Sequence, residues 1–290
     1  MKRSWMLGVL VAPFIAGCLG SSTALPGAAQ PPAPTAIVRN AKKPHASSVV
    51  IVIMENRDYD LVIGTSAAPY INKQLVPHAA LMTNSHAITH PSEPNYLALF
   101  SGSTQGVDDD SCPHTFTTSN VGEELIAAGY TFDGYSESMP YDGYTGCSSG
   151  EYARKHNPWV NFTNVPASSN LVYQGFVTPS ALTIVVPNLC HDMHDCSTQT
   201  GDTWLKSNLP AFLKYDKQYN GLLVLTWDEA DPDANGQNQI ATLLLGPMIK
   251  PGKYAQDITH YSTLRTIEDI FGVACTAAAC QASDLKDMWR

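Results

Sequence analysis

The segment SVVIVIM, residues 48–54, decides the fold of this chain. Five β-branched residues follow Ser48 without a polar interruption, which predicts a strand buried on both faces, as in a parallel sheet. Alternating strands and helices then predict an α/β fold whose mostly parallel sheet is covered by helices on both faces. The further strands are predicted at 130–135, 182–186, 221–226 and 240–245, and the helices at 121–128, 204–219 and 262–271.

Polar residues come directly after three of these strands. Glu55 and Asn56 follow the first strand, the segment 188–195 follows the third, and Asp228 and Glu229 follow the fourth. In parallel sheets ligands bind beyond the carboxyl ends of the strands, so we expect these groups to lie close together. Carboxylate and amide oxygens suit a divalent cation such as Ca, Mg, Mn or Zn, and mutual repulsion among carboxylates favours such an ion. Ordinary turn residues are the alternative for each pair.

The segment 89–102, THPSEPNYLALFSG, predicts a helix that begins close to a serine. Pro94 suits the first turn of a helix, and Gly102 suits its end. Ser92 then lies at the helix N-terminus, where free backbone N–H groups and the helix dipole favour an anion such as phosphate. A hydroxyl in this position is a candidate nucleophile. The alternative is that Ser92 only caps the helix.

Several basic residues are candidates for acid–base chemistry or phosphate binding. The segment 191–195, HDMHD, combines residue types that ligate metals or transfer protons. His90 precedes Ser92, and His260 precedes a predicted helix. Lys155 and His156 offer positive charge for a phosphate oxygen. A structural or solvated role is the alternative for each of them.

Two motif matches are interpreted as coincidences. GCSSG at 146–150 has the letters of a nucleophile elbow, but the strand that an elbow needs before its serine is not predicted, so we expect a loop. DPDANG at 231–236 begins like a calcium loop, but Thr242 occupies the twelfth position, where an EF-hand needs Glu.

The N-terminus predicts a targeting segment. Two basic residues, a short apolar run and IAGC at 15–18 are typical of a lipoprotein signal peptide over residues 1–17. Cys18 would then be the lipidated N-terminus. Ordinary cleavage near Ala24 or Ala29 is the alternative. Either route predicts an exported protein, as a cell-envelope lipoprotein or in secreted form.

Composition and charge limit the domain organisation and the binding partners of the rest of the chain. Residues 18–46, rich in Ala and Pro, predict a flexible linker, and 47–290 remain as one folded domain. The formal net charge of −9 disfavours binding along a nucleic-acid backbone. Contact with a membrane is expected only through the lipid anchor.

The cysteine count also indicates export. Seven cysteines are present, and setting Cys18 aside leaves six, which suits three disulfides in an oxidising compartment. Proximity alone selects one of the fifteen possible pairings. A metal–thiolate site at 190 and 196 is the rival, but the spacing is not that of a CxxC motif. The selected pairs are Cys112–Cys147, Cys190–Cys196 and Cys275–Cys280.

Six ordered segments together carry a family resemblance. They are IVIMENRDYD at 51–60, THPSEPNYLALFSG at 89–102, YARKHNPWVNF at 152–162, PNLCHDMHDCS at 187–197, TWDE at 226–229 and HYSTLRTIEDIFG at 260–272. The set resembles the bacterial phosphoesterase family that contains phospholipases C and metal-dependent acid phosphatases, within the alkaline-phosphatase-like superfamily. Some relatives carry His where this chain has Asn238 and Gln239, which argues against a second metal site.

The resemblance implies a three-layer α/β/α fold and a phosphoesterase catalytic domain over 47–290. It also implies roles for individual residues. The implied catalytic residues are Ser92 as nucleophile and His90, His194 and His260. The implied substrate contacts are Asn95, Lys155 and His156. The implied ligands of a divalent metal cation are Glu55, Asn56, Asp228, Glu229 and Asp192.

The expected function is therefore that of an exported acid phosphatase. It would hydrolyse phosphate monoesters, such as a phosphorylated small molecule or a phosphoinositide monophosphate, through a serine nucleophile with help from a divalent metal. A phospholipase C-type phosphodiesterase is the first alternative. A non-catalytic surface lipoprotein is the second.

Overall fold

The computed structural model of the protein describes residues 45–232 and 237–290. The predicted signal peptide, Cys18 and the linker up to residue 44 lie outside the described residues, as does most of the DPDANG segment. The first described residues contact the folded domain. The Asn220 Nδ2 donates to the His45 carbonyl at 2.6 Å, and Ala46 is buried in the core.

Eleven strands and five α-helices make up the described part of the chain. The strands are β1 Val49–Met54, β2 Ala80–His86, β3 Phe132–Glu137, β4 Ser148–Ser149, β5 Tyr152–Ala153, β6 Asn170–Tyr173, β7 Leu182–Val186, β8 Leu222–Trp227, β9 Gln239–Leu245, β10 Gly252–Tyr254 and β11 Ile258–Thr259. The helices are α1 Tyr59–Val62, α2 Ser92–Ser101, α3 Val121–Ala127, α4 Thr198–Tyr219 and α5 His260–Phe271.

The main sheet runs in the order β10-β2-β9-β8-β1-β7-β3-β6, and β11 also pairs with β2. The pairs of β1 with β7 and β8, and of β3 with β6 and β7, are parallel. Only β9 runs antiparallel to its neighbours, β2 and β8. The prediction of a mostly parallel α/β sheet is therefore confirmed.

Helices cover both faces of the sheet, because β1 is apolar on both of its faces. Val49, Ile51 and Ile53 pack in one hydrophobic cluster with the apolar residues of α2, α3 and α5. Val50 and Val52 pack in a second cluster with those of α4. Each fully buried aliphatic side chain contributes about 1.5–3 kcal/mol to folding. Two cores divided by one sheet give the predicted three-layer α/β/α arrangement.

Some elements differ from the prediction. The strand β2 was not predicted, because the second half of ALMTNSH is polar and gives no strand periodicity. The direction of β9 was not predicted either. Its connection to β8 comprises only residues 228–238, which is shorter than a parallel crossover normally needs, so the strand returns antiparallel. The helix α4 begins earlier than expected, since the Ser197 hydroxyl accepts from the Thr200 N–H and caps it.

All three selected disulfides are present: Cys112–Cys147, Cys190–Cys196 and Cys275–Cys280. The GCSSG segment is not wholly the loop that was predicted, because Ser148 and Ser149 form the short strand β4, which pairs antiparallel with β5; no helix follows these serines directly, so the segment is not a nucleophile elbow. Among the described residues, no helix combines the length and the apolar character that crossing a membrane requires.

A further buried carboxyl group belongs to none of the predicted site segments. Asp216, near the end of α4, is buried, and neither of its side-chain oxygens has a hydrogen-bond partner among the described residues. Gly221 packs directly against Asp216, and a Cβ at position 221 would lie only 2.0 Å from Asp216 Oδ1. Burial raises the pKa of Asp216 from 3.8 to about 7.

Asp216 should therefore make the free energy of unfolding depend on pH. Between pH 4 and pH 7 the folded protein keeps a proton on Asp216 that the unfolded chain releases, so this group's contribution falls as pH rises and levels off above about pH 7. We expect the free energy of unfolding, measured with urea, to fall by a few kcal/mol less between pH 4 and pH 7 in Asp216→Asn than in the wild type, since one pKa unit corresponds to about 1.4 kcal/mol. The exposed Asp257→Asn is the control and should follow the wild type. Equal pH dependence in all three proteins would contradict this assignment.

Candidate active site

The sheet brings the three predicted polar clusters to one edge. Because β8, β1 and β7 are parallel neighbours, the residues after their carboxyl ends meet. The Asp228 N–H donates to the Met54 carbonyl at 2.9 Å, and the Glu55 N–H donates to the Asp192 carbonyl at 2.8 Å. These main-chain bonds fix the carboxylates of residues that are far apart in the sequence.

Ser92 is the first residue of α2, and its hydroxyl faces this edge. The Ser92 Oγ donates toward Glu55 Oε2 at 3.0 Å and toward Glu229 Oε1 at 3.1 Å. The residue that caps the helix is Pro91, and no side-chain capping bond is made. The interpretation of Ser92 as only a helix cap is therefore wrong. The helix ends as predicted at Gly102, whose φ of 69° is left-handed.

Asn95 holds the loop before Ser92. Its Oδ1 accepts from the N–H groups of Ile88 and Thr89 at 2.9 and 3.1 Å, and its Nδ2 donates to the carbonyls of Thr89 and Pro91 at 2.9 and 3.1 Å. The side chain is buried, and its amide already makes four hydrogen bonds within the protein. The structure therefore gives Asn95 a scaffolding position and not the substrate contact that the family resemblance implied.

Asn238 ties the same loop to the segment after β8. Its Oδ1 accepts from the Ala230 N–H at 2.9 Å, and its Nδ2 donates to the Thr89 carbonyl at 2.8 Å. Its amide joins the Ser92 loop to the segment that carries Asp228 and Glu229.

Asn56 completes the group of oxygens around Ser92. Its backbone φ of 40° is left-handed, a conformation that Asn tolerates better than most residues. One terminal atom of its amide lies 3.0 Å from Glu55 Oε2 and 3.1 Å from Glu229 Oε1. An amide nitrogen in that position donates to both carboxylates, whereas an amide oxygen there requires a cation among the three groups.

Three predicted ligands of a divalent cation, Glu55, Asp228 and Glu229, are buried, and charges within this group raise the pKa values of Glu55 and Asp228. Burial raises the pKa of Glu55 to about 7, and burial together with the neighbouring Glu55 charge raises that of Asp228 well above its usual value. Burial also raises the pKa of Glu229, against the opposing effect of His90. The buried Asp228 Oδ2 has no hydrogen-bond partner among the described residues. Ionising several neighbouring carboxyl groups at once costs free energy, because their charges repel one another. A hard cation bound by their oxygens offsets that repulsion.

Among the described residues, the side-chain ligand atoms that lie close enough together to hold a cation belong to a different group, which shares Glu55. Ligand atoms of Glu55, His156 and Asp192 all lie within 4.8 Å of one another, and the three residues are buried. The His156 Nε2 is 3.0 Å from Glu55 Oε1, and Asp192 Oδ2 has no hydrogen-bond partner among the described residues. Burial, and to a smaller extent the Lys155 charge, lowers the pKa of His156 well below its usual value. The ring is therefore neutral, which is the form in which histidine binds a metal ion. The expected role of His156 as a positive contact for phosphate does not agree with this position.

The predicted catalytic histidines lie in three different settings. The His90 Nδ1 contacts Glu229 Oε2, and the ring is partly exposed. The His194 Nδ1 lies 2.7 Å from Asp195 Oδ1, with its ring partly exposed. His260 is buried, and its Nε2 donates to the Asp228 carbonyl at 2.6 Å. Burial lowers the pKa of His260 to about 4, so it is neutral above that pH.

Lys155 lies beside these carboxylates. Burial alone would lower its pKa, but its hydrogen bond to Asp110 and the charges of Glu55, Asp110 and Asp228 outweigh burial and raise it. The Nζ donates to Asp110 Oδ2 at 2.8 Å. Lys155 is therefore cationic and close to the predicted phosphate position.

Sequence reasoning missed three residues of this region. Tyr96 belongs to the helix predicted in 89–102 but was given no role, yet its hydroxyl donates to Glu55 Oε1 and its ring stacks on His156 with centroids 5.0 Å apart. A buried tyrosine hydroxyl needs a partner, which was the available signal. Glu93 and Asp110 were also missed. Burial raises the pKa of Glu93 to about 7, and Glu93 Oε1 accepts from Asn161 Nδ2 at 3.0 Å.

The fold is that of the alkaline phosphatase superfamily. The structure matches a member of that superfamily from Vibrio parahaemolyticus with a TM-score of 0.58, over 82% of this chain and 70% of that one. Their sequences are only 11% identical, so this likeness concerns the fold alone.

The sequence comparisons define the family. The model of the phosphoesterase family matches residues 66–274. The chain is 42% identical to the phosphatidylinositol-3-phosphatase of Mycobacterium tuberculosis, over 98% of this chain and 93% of that protein. It is 31% identical to an acid phosphatase of Aspergillus fumigatus, over 77% of this chain, and spans 54% of that protein's length. The chain belongs to the phosphoesterase family and is a phosphoric-ester hydrolase.

The four hydrogen bonds of Asn95 give a direct test of its position. Asn95→Ala removes the partners of two N–H groups and two carbonyls, and an unsatisfied buried group costs about 1–3 kcal/mol. We expect urea unfolding to show a loss of about 2–4 kcal/mol, with a lower kcat because the Ser92 loop loses its support. Asn95→Asp keeps the two acceptor bonds but places a buried carboxyl group against the Thr89 and Pro91 carbonyls, so it should also lose stability, and more of it as pH rises. Normal stability with a raised KM would instead identify Asn95 as a substrate contact.

Proposed function

We propose that this protein is a phosphomonoesterase of the acid phosphatase type with Ser92 as its nucleophile. One observation carries the proposal: the Ser92 Oγ lies at the start of α2, between Glu55 Oε2 and Glu229 Oε1. The carboxylates can take the hydroxyl proton, and the helix N-terminus favours the phosphate charge. The same residue therefore meets both requirements of phosphoryl transfer to a serine.

The proposed reaction has two steps. The Ser92 Oγ attacks phosphorus, its proton passes to a neighbouring carboxylate, and the bond from phosphorus to the leaving oxygen breaks as that oxygen takes up a proton. Water then hydrolyses the phosphoserine, which releases phosphate and restores Ser92. When held by Glu55, Asn56, Asp228 and Glu229, a divalent cation supplies positive charge that lowers the pKa of the hydroxyl and offsets the phosphate charge.

The settings of the histidines favour His194 as the group that protonates the leaving oxygen. His194 is partly exposed, and its Nδ1 lies 2.7 Å from Asp195 Oδ1, a contact that orients the ring for proton transfer. His260 is neutral above about pH 4 and donates to the Asp228 carbonyl, so we assign it to positioning Asp228. His90 is assigned to orienting Glu229.

The proposed substrate is a phosphate monoester whose leaving group occupies the cleft beside His90. This cleft has a volume of about 880 Å³, and Asp58, Asp60 and Asp231 lie along its wall. The similarity to a phosphatidylinositol-3-phosphatase supports a phosphoinositide monophosphate among the candidate substrates. The cleft is large enough for an inositol ring, and a phosphorylated small molecule also fits it.

We further propose that the enzyme is exported. Three disulfides are typical of proteins from oxidising compartments, and the N-terminal sequence has the pattern of a signal peptide. The proposed organisation is a signal peptide at 1–17, a lipid anchor on Cys18, a linker at 18–46 and the catalytic domain at 47–290. A non-catalytic lipoprotein would have no need of the buried carboxylates around Ser92, which cost stability.

Ser92→Ala tests the nucleophile. We expect turnover of p-nitrophenyl phosphate to fall by at least about a thousandfold, because no other hydroxyl replaces the attacking oxygen. Ser101→Ala is the matched control, since Ser101 is buried in the same helix and its hydroxyl donates only to main-chain carbonyls. Its kcat should stay near the wild-type value. Wild-type turnover by Ser92→Ala would contradict the proposed mechanism.

A substrate panel with and without chelator tests the substrate class and the cation together. We expect release of phosphate from p-nitrophenyl phosphate and from phosphatidylinositol 3-phosphate, loss of turnover in EDTA, and recovery when Ca, Mg, Mn or Zn is added back. Release of diacylglycerol from phosphatidylcholine without monoester turnover would identify a phospholipase C-type phosphodiesterase instead. Full activity in EDTA after dialysis would contradict a role for a dissociable cation.

A further inference from the structure

Asp110 occupies a position that no part of the proposed mechanism uses. Its Oδ1 accepts the backbone N–H of Glu93 at 3.0 Å, and its Oδ2 accepts from Lys155 Nζ at 2.8 Å. Glu93 directly follows Ser92 in the first turn of α2. The Asp110 carboxylate therefore binds two donors that lie beside the proposed nucleophile.

These two donors are the groups that an incoming phosphate would use. A backbone N–H in the first turn of a helix binds phosphate oxygens well, and a lysine ammonium is a common phosphate partner. A carboxylate and a phosphate present similar anionic oxygens to such donors. Lys155 is also the cation that offsets the charges of Glu55 and Asp228. With Asp110 in place, the Glu93 N–H and one of the three Lys155 N–H donors are occupied.

The loop that carries Asp110 is fastened beside Lys155. The Cys112–Cys147 disulfide joins it to the segment before β4, and the Cys147 carbonyl accepts from the Arg154 N–H at 2.9 Å. Arg154 is buried, and its guanidinium donates to the His114 carbonyl at 3.3 Å and to the Thr145 carbonyl at 2.6 Å. The Asp110 side chain is still 31% exposed, so it can turn toward solvent while the loop stays attached.

We infer that Asp110 is an internal competitor for the phosphate site, which holds the Glu93 N–H and Lys155 until substrate displaces it. The inference rests on the proposed function, because it takes the N-terminus of α2 as the place where the phosphate binds. Asp110 is then a residue that sets phosphate affinity. It weakens binding of substrate and also of the phosphate product, and a product that leaves sooner frees the site for the next turnover.

The test compares Asp110→Asn and Asp110→Ala with Asp109→Asn, using full-length protein. Asp109 lies in the same loop but bonds to Ser111, so its variant removes the same charge without touching Glu93 or Lys155. We expect both Asp110 variants to lower the inhibition constant of inorganic phosphate and the KM for p-nitrophenyl phosphate by roughly tenfold, as for loss of one charged hydrogen bond. The change in kcat should be smaller, and Asp109→Asn should match the wild type.

A raised or unchanged inhibition constant in correctly folded Asp110→Asn, as judged by its thermal unfolding, would overturn the inference. So would an equal effect in Asp109→Asn, because that result would show only general repulsion. Lys155→Met supplies a second check. The effect of Asp110→Ala should shrink in the Lys155→Met background, and an undiminished effect would show that Asp110 does not act by holding Lys155.

Direct calorimetry of inorganic phosphate separates this inference from the proposed function. If the wild type lacks phosphatase activity while Asp110→Asn binds phosphate more tightly than the wild type does, the proposed function fails and the inference stands. If the wild type is an active phosphatase but Asp110→Asn binds phosphate no more tightly, the inference fails and the proposed function stands.

Discussion

Repulsion among buried carboxylates is the physical constraint on which the rest of this site depends. Glu55, Asp192, Asp228 and Glu229 are all buried at one edge of the sheet. Burial of a charge without a partner costs several kcal/mol, and like charges at short range add to that cost. The charge of Lys155 offsets part of this cost, since it lowers the pKa of Glu55 and of Asp192, and the contact with His90 lowers that of Glu229. Protons that remain on these groups, or a bound cation, reduce this repulsion in the folded chain.

The scaffold keeps the carboxylates together in spite of this cost. Parallel pairing of β1 with β7 and β8 places the strand ends side by side, and two apolar clusters hold the sheet between its helices. The loop before Ser92 has no such support from the sheet, so two side-chain amides, the buried Asn95 and the half-buried Asn238, bind its backbone instead. The geometry around Ser92 thus depends on residues that contribute no charge.

The sequence predicted those parts of the fold and site that depend on local pattern. The unbroken apolar run of β1 and the polar residues after it predicted both the sheet and the place where Glu55, Asp228 and Glu229 meet. The side-chain partners of His156 and Asp110 could not be predicted, because each depends on contacts between segments far apart in the chain. A KH pair gives no sign of burial, and Asp110 belongs to an acidic run that is typical of a solvated loop. The strand β2 was missed because half of it is polar.

Protons and a cation compete for the same oxygens, and this competition links the stability of the site to its chemistry. The pKa values of Glu55, Asp192, Asp228 and Glu229 are all raised, with burial as the first cause. Without a cation, the folded protein therefore keeps protons that the unfolded chain releases above the usual carboxyl pKa, and the free energy of unfolding falls as pH rises toward the raised values. A cation that displaces these protons binds the folded state and recovers part of that loss, more so at higher pH. Acidic conditions stabilise the protonated cluster but weaken cation binding. Under the proposed function, the exchange of protons for a cation on these oxygens therefore determines how the stability of the site and its chemistry depend on pH.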